Sequence, residues 1–250
     1  MSVVVAYKYA PNPQDATVQA DGAIDWSRAK AAVSESDPVA IELGRRVANA
    51  QDTELVGISV GAKVAGSAMA TKNAMSRGFD RGIVVADDAT ADWSSTQVGS
   101  VLAGLVKKID GATLVLTADS SIDDSAGMMP GLIAGYLGWP AVLEVTNVEV
   151  TETGYVLTQR VTGGTRKLEV DGPVVVATTS DATSPAVPSM KDILAAGKKP
   201  IDVLSAADVE PAKAGLNVAR TERPQTRERK GKMFSTAEEL VAALREDGVL

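Results

Sequence analysis

The stretch Thr113-Leu114-Val115-Leu116-Thr117-Ala118-Asp119-Ser120-Ser121-Ile122-Asp123-Asp124-Ser125 decides the fold. Its first half is short and almost continuously apolar, the pattern of a strand buried on both faces of a parallel sheet. Its second half turns abruptly polar and leads to a helix expected from near Gly127 to Gly138. Three more runs of the first kind precede it, at residues 3–6, 55–60 and 82–86. Helical patterns separate them. Asp37 reads as an N-cap with Pro38 at the first helical position, and Val39, Ile41, Leu43 and Val47 supply the apolar side. Further helices are expected from about Val64 to Ser76 and from Ser95 to Lys108. Strands alternating with helices predict an α/β fold with a doubly wound, mostly parallel sheet.

Downstream the period changes. Residues 142–150, 155–161 and 165–170 alternate apolar with polar and are joined by Glu152-Thr153-Gly154 and Gly163-Gly164, as in an antiparallel meander. Residues 174–178 are apolar again and return to the core. These elements make up an α/β domain over residues 1–200. Residues 201–250 read as a C-terminal arm: 201–234 have little periodicity, and 220–232 carry six basic and two acidic residues. Ser235 and Glu238 form a capping box for a last helix ending near Glu246. The arm is either a solvated extension or a segment that wraps a partner and ends in a docking helix.

Composition removes whole classes of chemistry. The 250 residues contain no cysteine and no histidine. Disulfides, thiolate sites, Ser-His-Asp triads, histidine bases and nearly all catalytic zinc arrangements are therefore excluded. Aromatics are 4% of the chain, so the core rests on Val, Ala, Leu and Ile. A net charge of −7 argues against nucleic acid as a partner. No apolar run approaches the roughly 20 residues of a membrane span, and an apolar strand at the N-terminus without a basic leader implies a cytoplasmic protein.

Ligands of open α/β sheets sit beyond the carboxyl ends of the parallel strands. The residues placed there are Ala6-Tyr7-Lys8, Ser59-Val60-Gly61 and the loop from Asp119 to Ser125, the richest polar cluster in the chain. Small hydroxyl residues and a helix N-terminus can cradle a phosphate, whereas the three aspartates suit ribose hydroxyls, helix capping or loop organisation. A plain capping loop is the competing reading. No G-x-G-x-x-G follows the first strand and no P-loop motif occurs. Asp123 and Asp124 are adjacent and on a regular element would point apart. Lys8 is either a phosphate ligand or a surface charge, and the pair Met128-Met129 reads as helix packing.

Several segments together resemble the β subunit of electron transfer flavoprotein. They are Tyr7-Lys8-x-x-Pro11, Ser34-x-x-Asp37-x-x-Ala40-Ile41-Glu42, Ser76-Arg77-Gly78-x-Asp80 and the block from Asp119 to Leu137-Gly138-Trp139-Pro140. Ser184-Pro185-x-x-Pro188-Ser189-Met190-Lys191, Lys198-Lys199-Pro200 and Ser205-Ala206-Ala207-Asp208 complete the series. The resemblance covers nearly the whole chain and looks closest to the branch associated with carnitine metabolism and nitrogen fixation. It implies a Rossmann-like, adenine-nucleotide-binding domain whose arm clasps an α subunit. It also implies an FAD held mainly by that subunit, and an AMP or a second FAD in this one. Carried over by position, nucleotide contacts would fall on Ala6, Ser34, Val60, Ser121, Asp124, Gly127, Met128 and Met129. Where the family usually has Asn-Gln-Thr-Gly, this chain has Gly127-Met128-Met129-Pro130, so side-chain contacts to phosphate give way to backbone ones. A loop holding Pro185, Val187 and Pro188 would dock an acyl-CoA dehydrogenase-type or other redox partner. The implied role is an electron carrier and not an enzyme. The alternative is a stand-alone adenine-nucleotide-binding sensor or a scaffold domain. An ATP-pyrophosphatase version of it would need an S-G-G-x-D-S loop, which Tyr7-Lys8-Tyr9-Ala10-Pro11 does not match.

Overall fold

A computed structural model describes residues 1–214, 219, 220, 222, 225 and 231–250. In chain order the elements begin with β1 (Ser2–Ala6), β2 (Tyr9–Pro11), β3 (Thr17–Val18), β4 (Ile24–Asp25), β5 (Ala31–Val33) and α1 (Asp37–Ala50). Next come β6 (Glu54–Gly61), α2 (Ala68–Met75), β7 (Arg81–Ala86), α3 (Ser95–Lys107), β8 (Ala112–Ala118) and α4 (Met129–Leu137). The meander follows as β9 (Ala141–Val150), β10 (Gly154–Val161) and β11 (Gly164–Asp171). The chain closes with β12 (Val174–Thr178), α5 (Met190–Ala196), β13 (Ile201–Leu204) and α6 (Ala237–Glu246).

Nine strands form one sheet in the order β11-β10-β9-β12-β8-β1-β6-β7-β13. From β9 to β13 every pairing is parallel, while β10 runs antiparallel to both β9 and β11. The expected doubly wound sheet and its meander are both present. The period of two along each strand explains why the core has two halves. Val3, Val5, Leu55, Leu114, Leu116, Val174 and Val176 face α1 and α2, whose Ile41, Leu43 and Met75 are also buried. Val4, Val56, Ile58, Val115 and Val175 face the other way, onto Leu102 and Leu105 of α3 and Ile133 of α4. Each such fully buried aliphatic side chain contributes about 1.5–3 kcal/mol. Helix α1 lies unusually close to the sheet at Gly44, where an added Cβ would stand 2.8 Å from Val5 Cγ2 and 3.0 Å from Leu55 Cδ1.

Several local expectations are corrected. Asp37 is the first residue of α1 and Ser36 precedes it as the cap, because the Asp37 carboxylate turns inward instead of capping its own helix. The helix expected over 64–76 is a 3-10 turn at Lys63–Gly66 followed by α2, with the Ser67 hydroxyl accepting from the Ala70 N–H at the break. Helix α6 is capped one residue later than expected: Thr236 accepts from the Glu239 N–H, and Glu239 reaches back to the Ser235 N–H. Residues 201–204, read as patternless, form the edge strand β13 against β7. Beyond it the Ala206 and Ala212 N–H groups bond Asp87, just after β7, and Ser100 of α3, so residues 206–212 run back over these elements. Most of the basic segment 220–232 lies outside the described residues.

Candidate functional site

Strand β1 is flanked by β8 on one side and β6 on the other, so the winding reverses beside it. The crevice beyond the carboxyl ends of strands at such a reversal is where an open α/β sheet holds its ligand. A cavity of about 570 Å³ opens there, within the ~300–1,000 Å³ range of small-molecule sites. Ala6, the last residue of β1, and Val60, next to last in β6, line it together with Ser121, Asp124, Gly127, Met128 and Met129 from the segment after β8. Seven of the eight carried-over positions thus meet in one cavity. Ser34 does not line it. Its buried hydroxyl instead accepts the Ile122 N–H at 3.1 Å and its N–H donates to the Lys8 carbonyl at 2.8 Å, tying the loop to the end of β1.

Lys8 is the centre of the loop's electrostatics. Its ammonium lies 2.7 Å from Asp123 and 3.0 Å from Asp124. The two adjacent aspartates therefore converge on one cation, which the irregular loop permits and a regular element would not. Burial lowers the pKa of Lys8, but the bonds and charges of Asp123 and Asp124 outweigh it and leave it above the ordinary lysine value. For Asp124, burial acts upward but is outweighed by bonds from the Ser121 hydroxyl, the Ala126 N–H and Lys8, so it stays below the usual carboxylate range. The loop is organised by its own aspartates. Gly127 has φ +61, and there the chain leaves the loop to enter α4.

Beneath this network sits a residue that sequence reasoning assigned to capping alone. Asp37 is 5% exposed and its carboxylate accepts the Lys8 N–H at 2.7 Å. Burial pushes its pKa up to about 7, against the opposing pull of the Lys8 N–H, the Lys8 charge and Arg77. Burial, reinforced by Asp37, raises the neighbouring Tyr7 phenol as well. Three aromatic side chains at the cavity, Tyr9, Trp26 and Trp93, were also missed. Trp93 follows β7 and the strand-end rule could have found it. Tyr9 and Trp26 belong to an excursion between β1 and α1, built from the pairs β2–β5 and β3–β4, that no sequence period announces.

The cavity offers flat apolar faces and carboxylate acceptors. Aromatic and aliphatic walls match a base, and carboxylates match sugar hydroxyls. Met129 packs on the core beside α3, as expected, while Met128 is 40% exposed. The expected docking residues stand apart from the cavity on the loop between β12 and α5, which leaves the same edge of the sheet because β12 runs parallel to β8. Pro185 is exposed, Pro188 half-buried, and Val187 is 90% exposed.

No helix among the described residues is long and apolar enough to cross a membrane. Comparison with known families matches residues 21–209 to the electron transfer flavoprotein domain, whose members are electron carriers and not enzymes. That match takes in Ser34, Val60, the loop after β8 and the segment 184–190, well over half of the chain, and on this evidence the protein belongs to the electron transfer flavoprotein family.

Proposed function

We propose that this chain is the β subunit of a heterodimeric electron transfer flavoprotein, of the branch associated with carnitine metabolism and nitrogen fixation, working in the cytoplasm. The observation that carries this reading is the cavity at the winding reversal, where Ala6, Val60, Ser121, Asp124, Gly127, Met128 and Met129 converge on a space of adenylate size. In this reading it holds AMP, or the AMP half of a second FAD, with Ser34 fixing the loop from below. The FAD shared with an α subunit supplies the electron chemistry when bound; the protein tunes and positions it. This chain's residues shape the nucleotide site, exclude water from it with Tyr9, Trp26 and Trp93, and present the loop holding Pro185, Val187 and Pro188 to a dehydrogenase-type or other redox partner. An electron relay needs no general base, which accords with a chain lacking histidine and cysteine.

Residues 1–200, completed by the edge strand β13, serve as the nucleotide-binding domain, and the remainder of residues 201–250 as the arm and helix that clasp the α subunit. None of the residues of α6 is buried, and Leu240 and Val241 on it are 44% and 37% exposed, so an apolar side is left for a partner to cover. Co-expression with the neighbouring α-type subunit tests the reading. A stable heterodimer with one FAD and one AMP indicates a simple relay, and two FAD indicate a carrier that splits electron pairs. A chain that stays monomeric and flavin-free beside its cognate α subunit refutes it and leaves the nucleotide-binding sensor in its place.

A further inference from the structure

Resting on the docking role proposed above for the loop between β12 and α5, we infer that Arg160 of the meander is its positioning residue. Arg160 aims the loop through Asp181, without itself touching a partner.

The loop has little of its own to hold it. Among the described residues, residues 183–188 make no hydrogen bond, and Ser184, Pro185, Ala186 and Val187 are exposed. Pro185 and Pro188 fix their own φ, and the residues before them, Ser184 and Val187, are held to extended backbone. The span is therefore a stiff arch, and a stiff arch points where its ends are fixed. At the far end Ser189 and Asp192 cap α5 reciprocally: the Ser189 N–H donates to the Asp192 carboxylate at 2.9 Å, and the Asp192 N–H to the Ser189 hydroxyl at 3.3 Å.

The near end is fixed by the meander. The Ala182 N–H donates to the Thr179 carbonyl at 3.1 Å, closing a turn with Asp181 at its third position, and the Thr179 N–H donates to the Val145 carbonyl of β9 at 3.0 Å. From β10, one guanidinium nitrogen of Arg160 lies 2.8 Å and 2.7 Å from the two Asp181 carboxylate oxygens. That bond holds the Asp181 carboxyl below the usual carboxylate range, so the pair is charged at neutral pH. An irregularity of β9 accompanies this contact. The register of β9 shifts against β12 between Val176 and Thr178, and against β10 between Thr158 and Gln159; Glu144 beside these shifts has φ +57. Positive φ is uncommon for a glutamate, and bulges of this kind re-aim side chains at the ends of a sheet. An exposed ion pair adds little to global stability, but here it need only choose among orientations that the prolines have already limited.

The chain has no cysteine, so two can be introduced and labelled without background. Nitroxides at Val187→Cys and at Ala50→Cys, on the exposed end of α1, report the loop's orientation by double electron–electron resonance in the full-length chain. The parent is expected to give a narrow distance distribution, which Arg160→Ala and Asp181→Asn each broaden by about twofold or more with circular dichroism unchanged. Arg160→Lys is expected to stay narrow, because a single nitrogen makes both bonds. A distribution already broad in the parent, or one that Arg160→Ala leaves as narrow as before, overturns the inference. A narrow, Arg160-dependent distribution alongside undiminished electron exchange by Val187→Ala upholds Arg160 as the residue that aims the loop and refutes the docking reading instead.

Discussion

The buried carboxyl of Asp37 makes a sharp prediction about pH. Its proton affinity rises from the ordinary 3.8 to about 7 on folding, chiefly through burial. Folding therefore takes up a proton at this site between those values. The stability that Asp37 permits is fully present below the unfolded value, falls as pH rises through the window, and levels off above the folded value. At about 1.4 kcal/mol for each tenfold change in proton affinity, the span corresponds to at most about 4 kcal/mol. Partial charges at the start of α1 favour the ionised form and reduce that figure. Asp37→Asn keeps an oxygen to accept the Lys8 N–H but cannot ionise. Urea unfolding of both proteins from pH 4 to pH 8 isolates the effect, because the other carboxylates, many with lowered values, cancel in the difference. The variant is expected to match wild type near pH 4 and to gain on it progressively, by about 2–4 kcal/mol at pH 8. A difference that is flat, or that falls with pH, would show that Lys8 and Arg77 keep Asp37 ionised at its usual value, and would refute the reasoning.

Gly44→Ala forces a methyl against Val5 and Leu55 where the gap is 2.8 Å and 3.0 Å, so denaturant melts should show a loss of about 1–3 kcal/mol despite the better helix propensity of alanine. Phe79→Ala removes a fully buried ring that packs against Tyr7 at 5.4 Å between centroids and should cost about 3–5 kcal/mol in the same assay. Ser34→Ala leaves the Ile122 N–H without its acceptor, which should cost about 1–2 kcal/mol and weaken adenosine binding in calorimetry by loosening the loop. Val187→Ala, at a side chain 90% exposed, should leave the melting temperature unchanged and slow electron exchange with the redox partner in stopped-flow spectroscopy; unchanged exchange would remove that loop from the docking surface.

The local and the periodic were legible from the sequence. Strands buried on both faces must be apolar throughout, so β1, β6, β7, β8 and β12 announced themselves, and with them the loop after β8 that lines the cavity. Alternation and glycine-bearing turns did the same for β9, β10 and β11. Absent histidine and cysteine closed off most catalysis before any fold was known. Strand β13, only four residues long and on an edge, buries too little to leave a pattern. Tertiary structure alone decided the rest, because charge pairing and burial depend on which distant segments meet. Asp123 and Asp124 share Lys8 across 115 residues of chain, and Asp37 becomes a buried acceptor only because β1 ends above the start of α1. Tyr9 and Trp26 reach the cavity through an excursion with no period of its own. The sequence alone thus determined which surfaces had to be hidden, and packing determined which polar groups were hidden with them, since desolvation acts on a side chain only once its neighbours have arrived.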